Sequence, residues 1–589
     1  MTRVEEKVRQ ALKGTGPRGQ TTPAATSRYL DLAEHIVNEA VNWQDESGRI
    51  IDPYEKKETN TVTARYVGAL GLLMLQGRSR HLADSCARAL TPALEDLFLR
   101  KTEWGEFIVK EACMAYAALK DEVSPELARH WKHLLADYDP ETAYGRTYTN
   151  CPESNLQNYC TFAVAGEALK QKLELADNSK FIARYIRQQS TFFDKNGMYN
   201  DPHSPMTYDM VSRMNLSLAL WAGYRGKGFE ALDETLKLGG MAQLLYQSPT
   251  GECPFGGRSN QQNFNEATFA LICEFEAARW AGKGDLLMAG AFKRAASLAV
   301  NSIEKYLCET PIYFTKNLFP SETQHGRQKG YGFYGAYSLL IASQLGFASL
   351  LADRNIKESK CPAECGGYIF TTEDSFHKVF AACGGYHIEI DSNANLTYDA
   401  SGLGRVHKAG FPAELALSAP ITATPGFLTA IPPAPANIAI GPGWNRIWLA
   451  DLNGDRLHAT CKVLEENENR IRFKIDYDCD SGRVSELYDV SREGVEIEAI
   501  QVQNQALEFR IPLLKTNGRD SSEIKLCEHG FEVHFQGFIY HAECLTPDAK
   551  ISIEDFEAPN RNAIYKTGRF SVPGNRMLIR LSLSLKDNS

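Results

Sequence analysis

The sequence predicts two parts of different class. An N-terminal (α/α) toroid spans residues 26–355, and a C-terminal antiparallel β-sandwich spans 356–589, with a flexible segment at 1–25. Three observations carry this reading. Apolar residues recur at helical spacing almost throughout the first part. The connections between those helices alternate between short and long. After residue 355 the pattern becomes period-two alternation bounded by Gly, Asp and Asn.

Twelve helices are expected, near 26–42, 60–76, 80–98, 105–120, 125–137, 155–173, 178–192, 207–223, 228–246, 263–281, 285–307 and 334–352. Five connections are short: LQGRSR, KDEVS, LADNS, YRGKG and AGKGD. The intervening ones, apart from LRKTEW, are long, polar and aromatic, as in FDKNGMYNDPHSPM, QSPTGECPFGGRSN and PIYFTKNLFPSETQHGRQKGYGF. Hairpins with such alternation put every long loop on one face. Six pairs closing on themselves give one funnel lined by those loops. A linear solenoid would show a repeat of roughly 33–47 residues, and none is visible. Beyond 355, GGYIFTTE, HKVFAACGGYHIEID, RIRFKIDYDC, GVEIEAIQVQ, ALEFRIPLL, FEVHFQGFIYHAEC and MLIRLSLSL read as strands of two packed sheets.

With 589 residues, 43% of them hydrophobic, the chain can bury large cores. Its net charge of −9 and lack of a Lys/Arg-rich run exclude a dedicated nucleic-acid binder. No membrane partner is expected, because no apolar run reaches the ~18 residues of a span. The first residues lack the apolar stretch of a secretory signal, so a cytoplasmic address is expected. The fourteen Cys are scattered and read as reduced thiols, and Cys361 and Cys365 lack the second pair a zinc site needs. No cofactor is expected beyond a structural metal, for which His377, Asp399 and His407 offer ligands.

The long loops hold the residues suited to chemistry. In NGMYNDPHSPMTYDMVSR, two Pro-bearing turns place His203 at the funnel mouth, Thr207 as a helix cap, Tyr208 in the first helical turn and Arg213 beyond it. In CPFGGRSNQQNFNEA, the glycines permit close backbone approach, while Arg258, Asn260 and Gln261 offer donors to a carboxylate. In SETQHGRQKGYGFYGAY, His325, Tyr331 and Tyr334 sit among glycines, a pattern suited to sugar stacking. In TNCPESNLQNYC, Asn155 and Asn158 are carboxylate donors at a helix start. Each set has a structural alternative: core aromatics, loop anchors or helix caps. The sequence holds no phosphate loop of the GxxxxGK[ST] type, no HExxH and no GxSxG elbow.

This arrangement resembles the heparinase II/III-like and alginate-lyase-like polysaccharide lyases. The likeness rests on NGMYNDPHSPMTYD, with Tyr208 at the place of that family's catalytic tyrosine. It rests also on PFGGRSN, with Arg258 as a carboxylate binder, and on DSFHKVFAACGGYH, which offers His377 facing the funnel. One departure is SNLQN, which stands where the family carries an Asn-His pair, so His203 or His325 would supply the base. The resemblance implies β-elimination at a 4-linked uronate. Asn155, Asn158 or Arg258 would neutralise the carboxylate, and Tyr208, with His203, His325 or Tyr331, would move protons. The missing signal points to exo action on uronate-containing oligosaccharides. The rival is a glycoside hydrolase on the same toroid, a glucuronidase or unsaturated uronyl hydrolase, using carboxylates among Asp139, Glu153, Asp209 and Glu266.

Overall fold

The computed structural model describes residues 2–14, 26–59, 61–99, 104–144, 156–480 and 482–586. All twelve expected helices form. Six of them, Val62–Leu75, Gly105–Leu119, Tyr159–Lys172, Met206–Trp221, Phe264–Gly282 and Tyr334–Leu351, make an inner ring. Each packs on the next, and the last closes on the first. The other six, Thr26–Ala40, Ala83–Phe98, Pro125–Ala136, Ser179–Gln189, Phe229–Tyr246 and Leu286–Leu307, lie outside them. The division follows from sequence. Inner helices such as VTARYVGALGLLML are apolar nearly all round and buried nearly all round, whereas outer helices such as PELARHWKHLLA bury only one stripe, here Trp131, Leu134 and Leu135. Tyr334–Leu351 is long and apolar enough to span a membrane by composition, and 94% of it is buried in the ring.

Each short connection leads from an inner helix to an outer one, so all six inner N-termini face the same end as the long loops. Their partial positive charges converge there.

Two departures from expectation concern the N-terminal segment and the sheets. Within the segment expected to be flexible, Arg3–Ala11 is a helix capped by Thr2, with Val4, Val8 and Ala11 buried. It has enough apolar residues at helical spacing to dock, and Lys7 pairs with Glu466 at 2.5 Å. The β half forms three antiparallel sheets among the described residues, of four, eight and six strands, rather than two. The extra layer is the four-stranded sheet, in which Lys378–Cys383 and Tyr386–Asp391 are wholly buried. Phe370, Phe380 and Ala382 on one face join the core of the ring. Ile369, Val379 and Ala381 on the other join the core of the β half. Three of its four strands fall within GGYIFTTE and HKVFAACGGYHIEID, read as strands from the sequence; burial on both faces is what makes them a layer of their own.

Candidate functional site

A cavity of about 250 Å³ lies at the inner-helix N-termini. Thr61, Trp104, Asn158, Tyr208, Phe264 and Tyr337 line it, so all six inner helices or the residues that lead into them contribute. Arg65, Arg258 and Tyr331 complete the polar wall, and Phe107, Tyr159 and Phe162 extend the aromatic one.

Tyr208 reaches the cavity because Met206–Trp221 starts immediately after Pro205. That start differs from the expected Thr207 cap: Thr207 is buried inside the first turn. The turn bearing Arg258 docks on this helix start, with Met206 N donating to Gly256 O at 3.2 Å. Gly257 has φ +75°, and a Cβ there would lie 2.5 Å from Cβ of Pro205, so only glycine lets the two segments touch. Ser259, also left-handed at φ +64°, then turns its hydroxyl towards the cavity tyrosines. Its Oγ lies 2.7 Å from Tyr331 Oη and 3.5 Å from Tyr208 Oη. The Arg258 guanidinium sits 4.1 Å from the centre of the Tyr208 ring. Burial, then the charge of Tyr208, push the Tyr331 phenol well above its ordinary value, so it stands protonated as a donor.

Arg258 is ion-paired to Asp201, which is buried, and donates to Pro202 O at 2.8 Å. Asn158 holds the same carboxylate, from Nδ2 at 3.0 Å to each oxygen and from its backbone N at 3.1 Å. The Asn158 amide, expected to meet a substrate carboxylate, lines the cavity and also holds Asp201. Through Asp201 it also positions Arg258.

The remaining expected site residues lie elsewhere. Asn155 falls outside the described residues. His203 is exposed, in a left-handed turn at φ +67°, and is not part of the cavity wall. Arg213 is fully buried between helices, donating to Leu236 O and Asp209 Oδ1 at 2.9 Å each and to Gly197 O. Asn260 clamps its own turn, donating to Gly257 O at 2.5 Å and Asp399 at 3.4 Å. Tyr334 is a core aromatic whose hydroxyl donates to Glu39 at 2.8 Å among Trp43, Tyr54 and Phe314.

His325 is a wedge between the two halves. Its Nε2 lies 2.8 Å from Asn560 O, and its Nδ1 accepts from Ala430 N at 2.9 Å. Burial pushes its pKa down to about 4, so it is neutral with both nitrogens used. It cannot serve as the base. His377 is 2.5 Å from Asp391 and lines a separate polar groove on the β half. His407 is held by Ser248 at 2.7 Å and Ser418 at 3.1 Å, and Asp399 by Gly257 N at 2.6 Å. The three residues offered for a metal thus have other partners, and no metal-holding group of His, Cys, Asp or Glu occurs among the described residues.

Other lining residues escaped the sequence reading, among them Arg65, Trp104, Phe107, Tyr159, Phe162 and Tyr337. Only Arg65 carried a usable signal, as a lone cation in a helix otherwise apolar all round.

No protein-family model and no curated protein matches the chain. Solved structures do. The chondroitin AC lyase of Streptomyces coelicolor A3, solved in complex with chondroitin sulphate, is 10% identical with a TM-score of 0.52, over 98% of this chain and 82% of that one. A heparinase III is 8% identical with a TM-score of 0.52, over 96% of this chain and 86% of that one. At these identities the likeness is one of fold, and the chain has the helical toroid followed by antiparallel β sheets that these polysaccharide lyases share.

Proposed function

We propose that this chain is a lyase that cleaves a 4-linked uronic acid glycoside by β-elimination. The observation that carries the reading is the hydroxyl chain Tyr208–Ser259–Tyr331, with the Arg258 cation over Tyr208, at the convergence of six helix N-termini. A uronate C5 proton is weakly acidic, and its removal requires that negative charge spreading onto the carboxylate be stabilised. Convergent helix dipoles and fixed guanidinium groups do that. Tyr208 as phenolate takes the C5 proton. The C5 electron pair forms the C4–C5 double bond, the C4–O bond breaks, and the leaving oxygen takes a proton from Tyr208 or, through Ser259, from Tyr331. Arg258 supplies the positive charge that a Tyr208 phenolate faces.

The aromatic wall, with Phe107 4.3 Å from Phe162 and 5.8 Å from Tyr159 between ring centres, suits the apolar face of a sugar. The small cavity favours action at a chain end. A two-carboxylate hydrolase finds no support here, because no Asp or Glu lines the cavity among the described residues. Asp209 is held by Arg213 and Tyr199 N, Glu266 by Lys316 and Cys253 N, and Asp139 caps a short helix; Glu153 lies outside the described residues.

The test is a screen of uronate oligosaccharides from alginate, glucuronan and glycosaminoglycans, read by ultraviolet absorbance of the unsaturated product and by mass. Elimination gives absorbing products with no added water. Cleavage that incorporates water would overturn the reading.

A further inference from the structure

The two guanidinium groups in the cavity wall stand in opposite electrostatic states. Arg258 has its counter-charge in Asp201. Arg65, in the first turn of Val62–Leu75, donates from Nη1 to Ala336 O at 2.7 Å and lies 5.1 Å from the centre of the Tyr337 ring. Among the described residues no carboxylate pairs with it. Glu111, whose field reaches it, is occupied by Lys110 at 2.8 Å and Ser343 at 2.7 Å.

Arg65 is only 6% exposed, and it stands where the backbone N–H groups of a helix start add further positive charge. A buried cation without a counter-charge is costly. Burial lowers its pKa, which records that cost.

We propose that Arg65, rather than Arg258, is the residue that binds the carboxylate of the substrate. The inference rests on the uronate reading above. Arg65 offers a planar fork that matches a carboxylate, and it lies beside Tyr337, whose ring centre is 6.3 Å from that of Tyr331 in the hydroxyl chain. The two arginines then divide the work: Arg65 holds the group onto which charge spreads, and Arg258 faces the tyrosine that takes the proton.

The test is the binding of glucuronate, galacturonate and mannuronate and of their methyl esters to the full chain carrying Tyr208→Phe, followed by calorimetry. At least one acid should bind about tenfold or more tighter than its ester, the difference expected for a charged hydrogen-bonded pair. Adding Arg65→Gln should erase that preference, Arg65→Lys should restore part of it, and Arg258→Gln should leave it in place. Circular dichroism verifies that each variant is folded. A preference that survives Arg65→Gln in a folded protein, or that vanishes only with Arg258→Gln, overturns the assignment of Arg65 while leaving the lyase reading standing. Absence of any preference before Arg65 is changed overturns the assignment as well, and the product screen then decides the lyase reading separately.

Discussion

The cavity at the inner-helix N-termini and the buried seam between the ring and the β sheets draw on the same residue types: Tyr, Arg, His, Asp and Asn. In the seam these groups answer one another. Lys316 is 2.5 Å from Glu266, Lys378 is 3.2 Å from Glu389 and 3.1 Å from Asp391, and Arg405 donates to Cys253 O at 2.8 Å and Ser418 O at 2.9 Å. His387 is buried without a hydrogen-bond partner and kept neutral, its pKa lowered by burial to about 3. In the cavity, the Tyr208 hydroxyl lies a long 3.5 Å from that of Ser259, and no carboxylate pairs with Arg65 among the described residues. Partners, and not residue type or loop length, separate an anchor from a site.

Substitutions in the two regions should therefore fail in different ways. Tyr208→Phe should lower kcat by about 10²–10⁴-fold, the usual contribution of a proton-transferring group, with thermal stability nearly unchanged. Turnover at the parental rate would remove Tyr208 from the chemistry. Arg213→Ala should do the reverse. It leaves Asp209 buried and uncompensated, which costs about 3–5 kcal/mol, read as a lower denaturant midpoint; the fraction that remains folded should keep its kcat.

A smaller effect is expected at the seam. His325→Ala leaves Ala430 N and Asn560 O without a partner and should cost about 1–3 kcal/mol, again without a change in kcat. The pH dependence has a definite sign. The folded pKa of about 4 lies below the ordinary histidine value of about 6.5, so the folded state binds fewer protons than the unfolded one between them. Stability from His325 is complete above about pH 6.5 and is lost as pH falls towards 4. A second pH effect, of opposite sign, concerns Asp399, whose carboxyl is raised by burial to about 7 although Lys378 opposes the shift. Here the folded state binds more protons, so ionisation costs stability as pH rises from about 4 to 7. The melting temperature of Asp399→Asn relative to the parent should climb across that window by a few degrees; a flat difference would show that Asp399 does not titrate there.

The ring was legible in the sequence because two independent signals agreed, helical apolar spacing and the alternation of loop lengths. Most strands of the four-stranded sheet were legible too, in GGYIFTTE and HKVFAACGGYHIEID, but their separation into a third layer was not, because local alternation marks a strand without saying which strands pair. Within the site, Tyr208, Arg258 and Tyr331 could be chosen because they flank glycines or prolines at helix starts. His325, Tyr334 and Asn260 share those surroundings, yet their partners, Asn560, Glu39 and Asp399, are remote in sequence and invisible to a local reading. Arg65 failed for the opposite reason. It sits in a helix interior that looks like plain core, where a lone cation is the only clue.

Closure of the ring has a consequence for biogenesis. The final inner contact joins Tyr334–Leu351 to Val62–Leu75, so the first inner helix waits until residues 334–351 are made before its last neighbour exists. Until then the apolar flank of VTARYVGALGLLML lies open, an adhesive surface on the nascent chain of the sort that invites misassembly or a chaperone. The same late step brings Tyr337 and Tyr331 up to Arg65, so the protein acquires its pocket only when it ceases to be sticky.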